Sequence, residues 1–139
     1  MKGYWSLPGG KLRLGETIRE GMQREVMEEC QVPLDVRQIS RPFHCMDAIW
    51  KESGGRILFH YVLLQSVTVV DASVRAVPSS DAVEVQWVPV DQVHLVSPLT
   101  DEVGEVLARA HARTHTHPHI LKHGNIHTHT YMWKFIGRK

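Results

Sequence analysis

Apolar residues recur every four positions from Ile18 through Met22 to Val26, with charged residues between them. That rhythm predicts a helix from Glu16 to about Cys30, closed by Pro33, which cannot continue it. Ahead of it, Leu7-Pro8-Gly9-Gly10 is a cluster of breakers within Gly3 to Gly15 and predicts a loop. The rhythm then changes. Ser40 to Trp50 and Arg56 to Val70 are rich in β-branched and aromatic residues, with Gly54-Gly55 between them, which predicts a hairpin. Ile57 to Leu64 is apolar almost throughout, the pattern of a strand covered on both faces. Val83, Val85 and Trp87 alternate in a third strand from Val83 to Val90. Thr100-Asp101-Glu102 reads as a helix start, with its carboxylates at the positive end of the helix dipole. Val103, Val106, Leu107 and Ala110 give that helix an apolar stripe.

After Ala112 the pattern dissolves into short alternating repeats, Arg113-Thr114-His115-Thr116-His117-Pro118-His119 and His127-Thr128-His129-Thr130. Such a tract has no helical period and little to bury. Residues 1–112 are therefore expected to form the domain and residues 113–139 a disordered His/Thr-rich tail. Metal sequestration by the histidines is a weaker reading of that tail.

Composition narrows the class without changing this layout. A chain of 139 residues, 42% hydrophobic and 22% charged, has the size and balance of one soluble globular domain. A net charge of +1 gives no whole-chain argument for nucleic acid or an anionic membrane as partner. The strongest apolar stretch, Ile57 to Val70, contains His60, Gln65, Ser66 and Thr68 and is too short to span a bilayer. No basic segment followed by an apolar run opens the sequence, and Cys30 and Cys45 make no disulfide framework. The expectation is a cytoplasmic chain with free thiols.

The chemistry is concentrated between Gly10 and Val32. Glu25, Glu28 and Glu29 stand at i, i+3 and i+4, so on a helix they project from one face within about 100° of one another. At about 6 Å and an effective dielectric of about 20, each pair of such charges repels by roughly 3 kcal/mol. A positive charge is needed to offset this, and a hard divalent cation suits an all-oxygen cluster. The same pattern also occurs on solvated helix faces, where it has no function. The surrounding frame favours chemistry: Gly9-Gly10 allows close backbone approach, Glu16 follows at a fixed interval, and Arg24 can pair with a carboxylate and hold it.

This frame resembles the Nudix box, G-x5-E-x7-R-E-U-x-E-E-x-G-U with U aliphatic. Gly10, Glu16, Arg24, Glu25, Val26, Glu28, Glu29 and Val32 fall on its positions, and the one departure is Gln31, where the box has glycine. Trp5-Ser6-Leu7-Pro8-Gly9-Gly10-Lys11 is similar to the lead-in of small bacterial-type members. Phe59 to Leu63 and Val85 to Asp91 are similar to later strands of the ADP-ribose pyrophosphatase-like branch. The similarity covers about residues 3 to 112.

The resemblance implies an α/β fold, an α/β/α sandwich with a mixed sheet, whose first strands are missing because only six residues precede Leu7. It implies a magnesium- or manganese-dependent hydrolase that cleaves the diphosphate of a nucleoside diphosphate linked to another group, with ADP-ribose as the expected type. Glu28 and Glu29 would be the main metal ligands. Glu25 would be a further ligand or the base that activates water, the Gly10 carbonyl would complete the shell, and Arg24 would orient the carboxylates. Gly9, Gly10, Glu16 and Glu84 are the substrate-side candidates, with Asp81 as an alternative to Glu84 for a carboxylate from a later loop. His60 is expected to be a satisfied core histidine, and Trp5 and Phe43 packing residues more than base-stacking ones. The expected partner is the small nucleotide substrate, and a homodimer would cover a sheet edge. The competing reading is a catalytically silent Nudix-like module, from a truncated isoform, that binds a nucleotide or a protein.

Overall fold

In the computed structural model, which describes residues 3–100, 103–116 and 130–136, two helices and five strands form in the order β1 (Tyr4–Ser6), α1 (Ile18–Cys30), β2 (His44–Lys51), β3 (Ile57–Gln65), β4 (Glu84–Pro89), α2 (Val103–Thr116) and β5 (Thr130–Ile136). A 3-10 helix, Val90–Leu95, follows β4.

Helix α1 forms where the apolar spacing predicts it. Thr17 caps its start with a capping box: its Oγ1 accepts from the Glu20 N–H at 3.3 Å, and the Glu20 carboxylate accepts from the Thr17 N–H at 2.8 Å. Its end is held by a loop. The N–H groups of Val77 and Ser79 donate to the carbonyls of Cys30 and Glu29, which a free helix end would leave unpaired. Gln31, the departure from the box, takes the left-handed conformation at the C-cap, with φ 54°. Glycine adopts that conformation without Cβ strain, which explains why the pattern has glycine there.

β2 and β3 form the predicted hairpin, antiparallel from His44↔Gln65 to Lys51↔Ile57, with an irregularity at Trp50/Lys51. The apolar run on β3 is not covered as expected. Leu58, Phe59, Tyr61, Val62 and Leu64 are all exposed, because among the described residues β2 and β3 pair only with each other as a two-stranded sheet. His60 is likewise no core histidine: it is half exposed, and its Nε2 lies 2.7 Å from Asp47 Oδ1.

The other sheet has the order β1-β5-β4. Its pairings are antiparallel, and parallel geometry occurs among the described residues only in an isolated bridge, Trp5↔Leu99. A mixed sheet is therefore not what the described strands form. β4 is packed on both sides by alternate residues. Val85 and Trp87 lie against the buried Cys30 and Val32 at the end of α1, with Val26, Val70 and Val74. Val88 belongs to the second cluster with Val93, Val103 and Leu107, joined by Trp5 and Leu7. The predicted stripe of α2 is buried at every position: Val103, Val106, Leu107 and Ala110. Each fully buried valine or leucine contributes about 1.5–3 kcal/mol relative to exposure, and these residues tie the helices to the sheet.

The tail departs furthest from expectation. α2 runs through the anticipated break at residue 112 to Thr116, and Thr130–Ile136 is the middle strand of the sheet, paired to β1 and β4 at once. Without a strand there, β1 and β4 would each present an unpaired edge. Most of the His/Thr repeat, residues 117–129, lies outside the described residues, and the metal-sequestration reading falls there. Both cysteines are free thiols, Cys30 buried and Cys45 exposed. No helix among the described residues is long and apolar enough to cross a membrane.

Candidate active site

The loop before α1 folds back along the helix and meets its carboxylates one after another. The Gly9 N–H donates to Glu29 Oε2 at 2.9 Å. Gly10 lies so close to Glu25 that a Cβ there would overlap its carboxylate, with Oε2 at 2.7 Å, so a side chain at this position would have to displace Glu25. The Lys11 carbonyl accepts from Arg24 Nη2 at 3.0 Å, and Arg13 Nη2 donates to Glu28 Oε1 at 2.8 Å. These contacts explain why a Gly-Gly step stands beside a carboxylate helix.

Arg24 is the hub. Its Nε and Nη2 grip both oxygens of Glu16, at 2.6 and 3.0 Å, while Nη1 donates to Glu25 Oε1 at 2.7 Å and to Glu28 Oε2 at 3.2 Å. The two-pronged grip uses the planar guanidinium fork, which a lysine could not reproduce. The guanidinium also holds the Glu16 carboxyl at about 2, well below the ordinary 4.5, with help from the Arg13 N–H. In return, Glu16 and then Glu25 raise the Arg24 pKa further above its already high value.

Exposure grades along the cluster. Glu29 is buried, the Glu25 side chain is 16% exposed, and Glu28 is 41% exposed. The three carboxylates are thus at the rim of the core, as their position beside the Ile18-Met22-Val26 stripe predicts. The repulsion that the sequence suggested a cation must offset is countered at Glu25 and Glu28 by Arg24, and at Glu28 also by Arg13. Glu25, Glu28 and Glu29 offer oxygen donors only, which is the chemistry a hard divalent cation takes. As they stand, those oxygens face guanidinium and amide donors. No three His, Cys, Asp or Glu side chains among the described residues converge into a metal-holding group.

The structure therefore brings together Gly9, Gly10, Glu16, Arg24, Glu25, Glu28 and Glu29. It does not bring in Glu84. That residue opens β4, exposed, and strand alternation puts it on the side opposite Val85 and Trp87, which face α1. Asp81 is exposed in the turn just before it. Trp5 packs partly buried against the cluster of Val88, Val93, Val103 and Leu107, in keeping with a packing role. A shallow depression of about 280 Å³ beside Trp5, Gln86, Gln92 and Ser97 contains none of the carboxylates.

Sequence reasoning missed Arg13 and Lys11. Both lie in a loop, where no periodicity signals which side chains turn back onto the helix. It also missed the aromatic rings of the hairpin, Trp50, Phe59 and Tyr61, which the alternation of β2 and β3 could have assigned to one face.

A family model for the NUDIX domain matches residues 1–110. No solved structure matches the chain.

Proposed function

Because the chain belongs to the NUDIX domain family, we propose that it hydrolyses nucleoside diphosphates linked to another group, ADP-ribose-like substrates among them, with Mg²⁺ or Mn²⁺ as cofactor. The observation that carries this reading is the placement of Glu25, Glu28 and Glu29 on the part of α1 along which the Gly9-Gly10 loop folds back. In this reading Glu28 and Glu29 are the principal metal ligands, Glu25 is a further ligand or the base that takes a proton from water, and the Gly10 carbonyl completes the donor set. When bound, the cation neutralises diphosphate charge and makes a bound water more acidic.

The remaining work falls to the chain itself. Arg24 orients Glu25 and Glu28, and Glu16 fixes Arg24, so the carboxylates are held before substrate arrives. Glu28 is the most accessible of the three, and its pair with the 64%-exposed Arg13 is a surface contact that is cheap to exchange. The packing of β4 between residues of α1 and α2 supports the α/β/α layering of this reading.

A second reading is a silent module that binds a nucleotide or protein without turnover. One observation favours it: Glu25 and Glu28 are already paired with Arg24 and Arg13, so their mutual repulsion is offset without a cation.

The test is turnover of ADP-ribose and a panel of other nucleoside diphosphate derivatives, read as released AMP and phosphate, with and without Mg²⁺ or Mn²⁺. The expected outcome is turnover only with metal, reduced by at least about a hundredfold in a Glu28→Gln, Glu29→Gln double variant. A folded wild type that turns over none of them with either metal sinks the hydrolase reading in favour of the silent module.

A further inference from the structure

The two faces of the β2–β3 hairpin differ in kind. On one, Trp50, Phe59 and Tyr61 form a continuous strip of rings, Trp50 to Phe59 at 5.6 Å between centroids and Phe59 to Tyr61 at 5.3 Å. The opposite face carries Ile49, Leu58, Val62 and Leu64 with the His60–Asp47 pair, and no Phe, Tyr or Trp. A hairpin that merely lacked a cover would have no reason to sort its aromatic rings to one side. Phe59 and Tyr61 are 40% and 38% exposed.

The aromatic side is also the side that meets the candidate active site. The Lys11 ammonium lies over the Tyr61 ring, 5.0 Å from its centroid. Lys11 follows Gly10, which abuts Glu25, and its own carbonyl accepts from Arg24. One residue thus touches the carboxylate clamp with its backbone and the ring strip with its side chain. A strip of tilted rings, a cation over its last ring and an acidic site beyond the cation form an ordered series. A nucleoside diphosphate derivative has the same order of parts: a base with a π face, then its ribose, then the α-phosphate that opens the scissile diphosphate.

We propose that the Phe59–Tyr61 strip, backed by Trp50, is the platform on which the nucleobase of the substrate stacks, and that Lys11 is the counter-ion for the adjoining phosphate. This inference rests on the diphosphohydrolase reading and deepens it by assigning the residues that hold the base, so that phosphates without a base are poor ligands. Stacking accepts any base face, so the platform selects nucleotides as a class without choosing among bases. Phe59 and Tyr61 are binding residues here and take no part in bond cleavage.

The test is calorimetric titration of the full chain, without divalent metal, with AMP and separately with ribose 5-phosphate. The expected result is tighter binding of AMP by about five- to a hundredfold, the factor that about 1–3 kcal/mol of stacking represents. Phe59→Leu and Tyr61→Leu should each erase much of that preference and leave ribose 5-phosphate unchanged, while Phe59→Tyr and Tyr61→Phe keep it. Equal affinities for the two ligands in the wild type, binding of neither, or leucine variants that keep the full preference would each overturn the platform. A reading independent of variants is the Trp50 indole N–H resonance, assigned with Trp50→Phe. It should move with AMP and not with ribose 5-phosphate, and a resonance indifferent to AMP overturns the proposal. Failure of the underlying reading looks different: AMP binds with its base preference, yet ADP-ribose is not cleaved when metal is supplied.

Discussion

Arg24 decides how the charges of the site coexist, and its reach was only partly readable beforehand. The box positions Arg24 beside Glu25, and a single pair is the natural expectation. The folded loop lets the same guanidinium grip Glu16, Glu25 and Glu28 at once. The consequence is measurable at Glu16, whose carboxyl is lowered from 4.5 to about 2, mainly by the Arg24 hydrogen bonds and next by the Arg13 N–H. Between those two values the unfolded chain holds a proton on Glu16 and the folded chain does not. Stability therefore rises with pH across that window, is fully present above about 4.5, and is lost as pH falls toward about 2. We expect the melting temperature to fall over this range, and a Glu16→Gln variant to melt lower than wild type at pH 6 with a flatter slope below 4.5. Parallel curves for the two proteins would show that Glu16 carries no such linkage. The motif made these residues legible because its spacing is rigid. Arg13 is not legible because a loop has no period, and Glu84 lies on the side of β4 away from α1, for closeness in sequence to a site says nothing about which side of a strand a residue takes.

Among the elements, α1 shows how local chemistry sets both ends of a helix and how one substitution strains it. At the start, the Thr17–Glu20 capping box satisfies donors that the first turn leaves open. Thr17→Ala should lower stability by about 1 kcal/mol, seen as a drop in the urea midpoint with an unchanged slope. At the end, Gln31 occupies a left-handed position at φ 54° and is exposed, so its side chain has little packing to offset the strain. Gln31→Gly should therefore raise the midpoint, by up to about 1 kcal/mol of stability. A midpoint that falls on adding glycine would contradict the strain argument. Both ends were legible because caps are local. The surroundings of β3 were not. An apolar run records a segment that gains from cover and is silent on whether neighbouring strands supply it. In this structure β3 pairs only with β2, so Leu58 and Val62 remain open to solvent.

For the whole molecule, the decisive piece is a strand that composition hid. Tyr131, Trp133 and Phe135 alternate through Thr130–Ile136, a strand signal by ordinary criteria, but they follow a His/Thr repeat that reads as unstructured. As β5 that segment joins β1 to β4, which share no pairing of their own. β4 in turn holds the packing of both clusters through Val85, Trp87 and Val88. A chain ended after Thr116 would leave β4 with one ladder fewer, at about 0.5–1.5 kcal/mol for each backbone hydrogen bond lost. Summed over the strand, this is a large share of the roughly 5–15 kcal/mol that keeps a domain folded. We expect the shortened chain to unfold at a clearly lower urea midpoint, and the amides of Glu84–Pro89 to exchange faster than in the full chain. Because Trp87 packs against the end of the same helix that carries Glu28 and Glu29, the turnover proposed for this site should fall together with that protection. Equal midpoints and equal exchange would instead mean that the sheet is held by β1 and β4 without their middle strand, and the pairing of Thr130–Ile136 would have to be given up.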